Sequence, residues 1–418
     1  MDLCLENGTL VDGTGRAPAK DVTVVISGSR IAAVYEDHTV PKREMARPID
    51  VAGATIMPGM VEAHTHVSIA PFRHVYEIGM QSIEYSTLFA LNAATSYLKA
   101  GFTTIRDLGC IGNIACALRD AIDSNMIVGP RMVVADKIIS STGGQCEFLP
   151  PWMTTEVNFG IVCNSPNEVV KTVREQIKLG VDFIKMDATG DPDSAFSPPD
   201  KPTLSYEELL AGVTEAHRHR KKVAIHAVGE QGIKAAIKAG PDSIEHAYYL
   251  NDECTEMMRN RNIALVPTMG LQKRKIELGK ELGVPSFVIE RSKEAYSAAQ
   301  EGVKRAKKAG IKIGLGADAG GVEYPHGSSA FELETMVENG FKEMEAIVLA
   351  TKNSAEIAGL GHHVGTIEKG KIADILVVDG DPLRDIKVLG QREKIRFVIK
   401  DGQIIGNDRP HEAYSSMS

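Results

Sequence analysis

Residues 57–67 read MPGMVEAHTHV, an apolar run that ends in two histidines one residue apart. In a β-strand, residues i and i+2 point to the same face, so His64 and His66 aim two imidazoles at one spot. A metal ion is the first candidate for that spot. The chain carries its own control in EAHRHRKK, where His217 and His219 fall on a helical stretch among Arg and Lys. Positions i and i+2 of a helix do not face one another, so that pair reads as solvated surface.

Working outward, apolar runs ending in small or chemically active residues recur: FTTIRDLG, RMVVADKIIS, FIKMDATG, VAIHAVG, SIEHAYY, IALVPTM and KIGLGADAGG. Between them lie helical stretches such as SPNEVVKTVREQIKLG, SYEELLAGVTEAHRHRKK and EQGIKAAIKAG. Their Ser, Pro or Glu starts and Gly stops suit capped helices. With TIMPGMVEAHTHV as the first strand, eight β-then-α units fill residues 59–363. That α/β pattern predicts a (β/α)8 TIM barrel, with a doubly wound open sheet as the alternative. The ends, 1–58 and 364–418, differ: short apolar runs broken by Asn-Gly, Asp-Gly and Ser-Gly read as β-hairpins. The Pro-rich stretch SAFSPPDKP (194–202) follows a strand end, where a barrel places its active-site loops.

Composition narrows the function classes. The 418 residues accommodate one barrel-sized domain and an accessory module. With 47 Lys+Arg against 55 Asp+Glu, the net charge of −8 argues against nucleic acid or an anionic membrane as the main partner. Six cysteines, at 4, 110, 116, 146, 163 and 254, form no CxxC pair and read as reduced thiols. The N-terminal MDLCLENGTLVDG shows no signal-peptide pattern, and no run reaches the length of a membrane span. A soluble, cytoplasmic protein is expected.

His64, His66, Lys185, His226, His246 and Asp318 each sit at or near the C-terminal end of an expected barrel strand. Barrel active sites lie at that face, so five strands would bring six residues to one mouth. Neutral imidazoles with carboxylate oxygen suit Zn²⁺ or a similar divalent ion. Each residue alone has a plainer account: a core histidine with a satisfied hydrogen bond, a snorkelling lysine, the turn aspartate of ADAGG. Together they explain one another. An ammonium in FIKMDATG is costly unless paired, deprotonated or modified, and Asp318 on an equally apolar run needs a positive partner.

On these residues the chain resembles the metal-dependent amidohydrolase superfamily over nearly its whole length. The run from GFTTIRDLG to DSIEHA resembles the imidazolonepropionase- and prolidase-like branch, which includes Xaa-Pro dipeptidases, Xaa-Arg/Lys carboxypeptidases and ochratoxin-hydrolysing amidases. The resemblance implies two divalent ions, Zn²⁺ the first choice. His64, His66 and Asp318 would hold the more buried one, and His226 and His246 the outer one. Lys185, carbamylated by CO₂, would bridge both. It also implies that 1–58 and 364–418 form a small β-sandwich, and that the protein is a homo-oligomer. Two departures stand out. Relatives acting as prolidases often carry Thr-Gly-Gly-His where this chain has STGGQC with Gln145, and some carry Tyr where it has Val228. Gln145, Tyr248 and His326 are the replacement candidates for substrate binding, with a loop or packing role as the alternative for each.

The expected function is cleavage, by a binuclear metal site, of an amide next to a free carboxylate, in a dipeptide, an N-acyl amino acid or an ochratoxin-type amide. A cyclic-amide or urea/carbamate hydrolase is the alternative within enzymes. A non-catalytic metal-binding scaffold is the alternative outside them.

Overall fold

A computed structural model describes residues 2–36, 47–147, 149, 152–153 and 158–405. The parts of the two expected end segments at 1, 37–46 and 406–418 lie outside the described residues.

The two chain ends meet in one sheet of eight strands. Its order is Gln403–Ile405, Ile395–Lys400, Ile375–Val378, Thr55–Pro58, Leu3–Leu10, Ala19–Ser27 and Arg30–Tyr35, with Arg47–Asp50 beside Leu3–Leu10. The join between ends is direct: Ile375 pairs with Pro58 and Val377 with Ile56, antiparallel. Leu5, Val24, Ile26, Ile56, Ile375 and Ile399 share one buried cluster. These β-branched and leucine side chains give the extra domain its own core.

From Met60 the pairing turns parallel. Met60–Thr65, Phe102–Asp107 and Arg131–Val134 form one ladder. Gly160–Val162, Ile138–Ser140, Phe183–Asp187, Lys222–Ala227, Ser243–His246 and Ala264–Val266 form another. The expected single strand RMVVADKIIS is thus two, because Asp136 takes a left-handed φ of 61° that breaks the extended run. Backbone bonds link the ladders: Asp182 N–H donates to Val134 O at 2.8 Å. On the other side, residues 312–319 lie between Ala264–Val266 and Met60–Thr65. There Gly314 N–H donates to Leu265 O (2.9 Å) and Asp318 N–H to His64 O (2.8 Å). Gly316 permits that approach; a Cβ there would fall 2.6 Å from His64 Cβ.

The connecting helices carry the expected caps. Ser165 caps Pro166–Leu179, which stops at Gly180, and Ser205 with Glu208 forms a capping box on Tyr206–Arg218. His217 and His219 lie exposed near the end of that last helix, each beside a carboxylate, as the surface reading requires. All six cysteines are buried and free. No helix among the described residues is long and apolar enough to cross a membrane.

Arg131 ties the parallel strands to the end sheet, reaching Asp374 at 2.5 Å and also Asp401. Asp374 is nearly fully buried. Arg131→Met is expected to destabilise the protein by about 3–5 kcal/mol, because it strands a buried carboxylate. Denaturant titration of the two proteins checks this.

Candidate metal centre

His64, His66, His246 and Asp318 converge at one point. Asp318 Oδ1 lies 3.4 Å from His64 Nε2 and 3.3 Å from His66 Nε2, and Oδ2 lies 4.0 Å from His246 Nδ1. The His226 ring centroid stands 4.5 Å from that of His246, which stands 4.8 Å from that of His64. Donor atoms of His64, His246 and Asp318 come within 4.8 Å of one another, a group able to hold a metal ion. Four non-glycine residues here take left-handed φ: His246 (71°), Ala247 (47°), Thr268 (47°) and Asp318 (53°). Such backbone persists only where its surroundings fix it, and it clusters at functional sites.

The imidazoles are oriented from behind. His64 Nδ1 meets Glu245 Oε2 at 2.9 Å, His66 Nδ1 meets Gly109 O at 3.0 Å, and His246 Nδ1 meets Thr268 Oγ1 at 2.7 Å. His226 Nε2 meets Gly190 O at 3.1 Å. Glu245 and the Gly109 carbonyl can only accept, so His64 and His66 carry their proton on Nδ1 and turn the Nε2 lone pair toward Asp318. Burial favours the neutral form, pushing His64 down to about 4 and His226 to about 3.

Lys185 lines the same chamber, and its buried Nζ has no hydrogen-bond partner among the described residues. Burial pushes its ammonium down to about 8. Asp318 differs. Burial would raise its carboxyl, but the surrounding His64, His66 and His246 hold it well below the usual carboxylate range. An orphaned buried amine beside convergent N and O donors fits a divalent-ion site with a modified lysine.

Sequence reasoning missed the supporting residues. Glu245 accepts from Arg106 Nη1 at 3.1 Å and from Ser243 Oγ at 2.6 Å, as well as bonding His64. Burial raises the Glu245 carboxyl, yet Arg106 and His64 outweigh it and bring it down to about 2. Charged residues inside FTTIRDLG and SIEHAYY were the available signal.

Of the three substrate-binding candidates, Gln145 lines the chamber. Tyr248 is buried with its hydroxyl 3.0 Å from Thr268 Oγ1 and accepting from Gln272 Nε2 at 3.1 Å. Its ring lies beside that of His246, centroids 5.6 Å apart, and both side chains meet Thr268 Oγ1, so Tyr248 backs that imidazole and does not line the chamber. His326 Nε2 bonds His66 O at 3.1 Å, bracing the first strand from outside the chamber.

Residues 55–405 match the Amidohydrolase family. The chain belongs to the amidohydrolase family. It is a hydrolase acting on amide C–N bonds. It is 30% identical to ochratoxinase of Aspergillus niger over 95% of this chain and 85% of that protein. The crystal structure of that ochratoxinase superposes with a TM-score of 0.86 at 28% identity, covering 98% and 96% of the two chains. A Xaa-Pro dipeptidase with bound methionine superposes at 0.87 and 30% identity, covering 97% of this chain and all of the other. An imidazolonepropionase of Thermoplasma volcanium is 21% identical over 92% of this chain and 91% of that one. The expected branch of the family is therefore the observed one.

Proposed function

We propose that this amidohydrolase uses two divalent ions to hydrolyse the amide of a dipeptide or N-acyl amino acid next to its free carboxylate. The single observation carrying this is the convergence of four imidazoles and Asp318 in the chamber lined by Lys185, whose Nζ has no hydrogen-bond partner among the described residues. His64, His66 and Asp318 would hold the inner ion and His226 and His246 the outer one, with carbamylated Lys185 between them. Zn²⁺ is the first choice for this N/O donor set. Bound there, such ions lower the pKa of a water and polarise the scissile carbonyl.

The chain's own residues do the rest. Asp318, held ionised among imidazoles, takes the proton of the attacking water and returns it to the leaving amine. Glu245 and Thr268 keep the rings aimed, and Gln145 stands on the wall where substrate oxygen would pass. The architecture suits that chemistry. The bonds joining the two parallel ladders support an eight-stranded barrel over 59–363. The single core under the end sheet supports a sandwich from 1–58 and 364–418. Free buried cysteines suit a cytoplasmic location, and exposed Met80, Tyr85 and Leu88 suit a homo-oligomer.

Glu245→Gln is expected to weaken metal affinity between about tenfold and a hundredfold, since it disturbs the His64 tautomer and unpairs Arg106. Competition against a fluorescent chelator reads this directly. The function itself is tested by amino-acid release from a panel of dipeptides and N-acyl amino acids by metal-loaded protein with bicarbonate. Release supports the reading. No release with metal bound moves it to cyclic amides or carbamates.

A further inference from the structure

The metal chamber is small, about 90 Å³, and it opens into a second chamber of about 340 Å³. Phe72, Val75, Gln145, Asp193, Ser194 and Glu323 line both and form the neck between them. The inner chamber is the smaller of the two, and its walls are already occupied by the reacting groups. Any bulky part of a substrate must therefore lie in the outer chamber. Its walls include Phe72, Val75, Phe196, Val284 and Phe287, so that part is apolar.

The neck is acidic, and its charges are not balanced. Lys275 is spent on Asp193, its Nζ lying 2.6 and 2.5 Å from the two carboxylate oxygens. Among the described residues, Asp191 Oδ1 accepts the backbone N–H of Asp193, at 2.9 Å, and Asp191 lines the inner chamber alone. Glu323 is 5% exposed, lines both chambers, and is hydrogen-bonded or ion-paired to no other described side chain. Asp191 in the inner chamber and Glu323 at the neck thus have no cation in hydrogen-bond contact among the described residues, Lys275 acting on both only through space. Burial pushes the Asp191 carboxyl up to about 7 and raises that of Glu323, so a cationic ligand group would draw both into the ionised form and gain the pairing.

We infer that Asp191 and Glu323 form the subsite for a primary ammonium on the acyl half of the substrate, whose apolar side chain fills the outer chamber. This rests on the amide-hydrolase reading and deepens it. Of the two substrate classes that reading admits, it selects dipeptides with a free amino terminus and a large apolar first residue. N-acyl amino acids lack the ammonium and would leave both carboxylates unmatched. The geometry is continuous, because the ammonium and the side chain branch from one carbon next to the scissile carbonyl, and Glu323 borders both chambers.

The experiment compares a phenylalanyl dipeptide with its 3-phenylpropionyl counterpart, identical except for the missing ammonium, on metal-loaded wild type, E323Q and D191N. Wild type is expected to lose about ten- to a hundredfold in kcat/KM without the ammonium, chiefly through KM. Each variant should shrink that ratio toward one by lowering turnover of the dipeptide. Equal or faster turnover of the 3-phenylpropionyl compound by wild type, or an unchanged ratio in both variants, would overturn the subsite. If neither compound is cleaved, the amide-hydrolase reading fails, and the subsite is judged by calorimetry with 2-phenylethylamine. Tenfold weaker binding in E323Q or D191N upholds it; equal binding in wild type and both variants overturns it.

Discussion

Asp318→Asn is expected to lower kcat by about 10³-fold while the protein still folds and takes up metal. The substitution is chosen for the backbone. Asp318 has a φ of 53°, and asparagine is among the few residues that tolerate the left-handed region as aspartate does. The bond from its N–H to His64 O holds the segment in place and does not depend on the side chain. An asparagine oxygen can still face His64 and His66, but an amide cannot accept a proton at any working pH. The loss should therefore appear in kcat, with metal content per chain, measured by mass spectrometry, remaining near the wild-type value. A variant that keeps its metal and its full kcat would remove Asp318 from the proton path. A variant that loses both would show that its role as ligand dominates.

Much of the site was legible because a barrel strand converts sequence order into position. Alternation at period two puts His64 and His66 on one face, and strand ends put His226, His246 and Asp318 at one end. Legibility stopped where the chain leaves the strand. Tyr248 follows His246 by two residues and its ring does lie beside that imidazole, yet its hydroxyl is held by Thr268 and Gln272 and stays out of the chamber. His326 lies beyond the last strand, where no periodicity governs direction, and it backs His66 instead. Arg106, Ser243 and Glu245 were hidden for another reason. They matter through a contact between strands far apart in sequence, and one chain alone does not reveal such pairings. The end sheet was legible as hairpins. Its pairing of Thr55–Pro58 with Ile375–Val378 is long-range and was not.

Lys185→Met should produce opposite changes in stability and activity. Lys185 is buried on an apolar strand, and its Nζ has no hydrogen-bond partner among the described residues. Burial lowers its ammonium from 10.5 to about 8, which amounts to a penalty of about 3 kcal/mol near neutral pH. Methionine matches the stem and removes the charge, so the metal-free variant in CO₂-free buffer should melt higher than metal-free wild type. The sign with pH follows from the direction of the shift. A base whose folded pKa is lowered costs stability below that value, and the cost fades as pH climbs from about 8 toward 10.5. The advantage of the variant should shrink over that window. Activity moves the other way, because methionine offers neither nitrogen nor a carbamate to hold two ions together. Metal stoichiometry should fall and turnover should be lost by at least about 10³-fold. The smaller Lys185→Ala variant leaves room for a short carboxylate, and partial recovery of turnover with acetate or propionate would identify the missing group as carboxylate-like. If Lys185→Met melts no higher and still turns over substrate, the amine has a partner and a role other than the one its isolation implies.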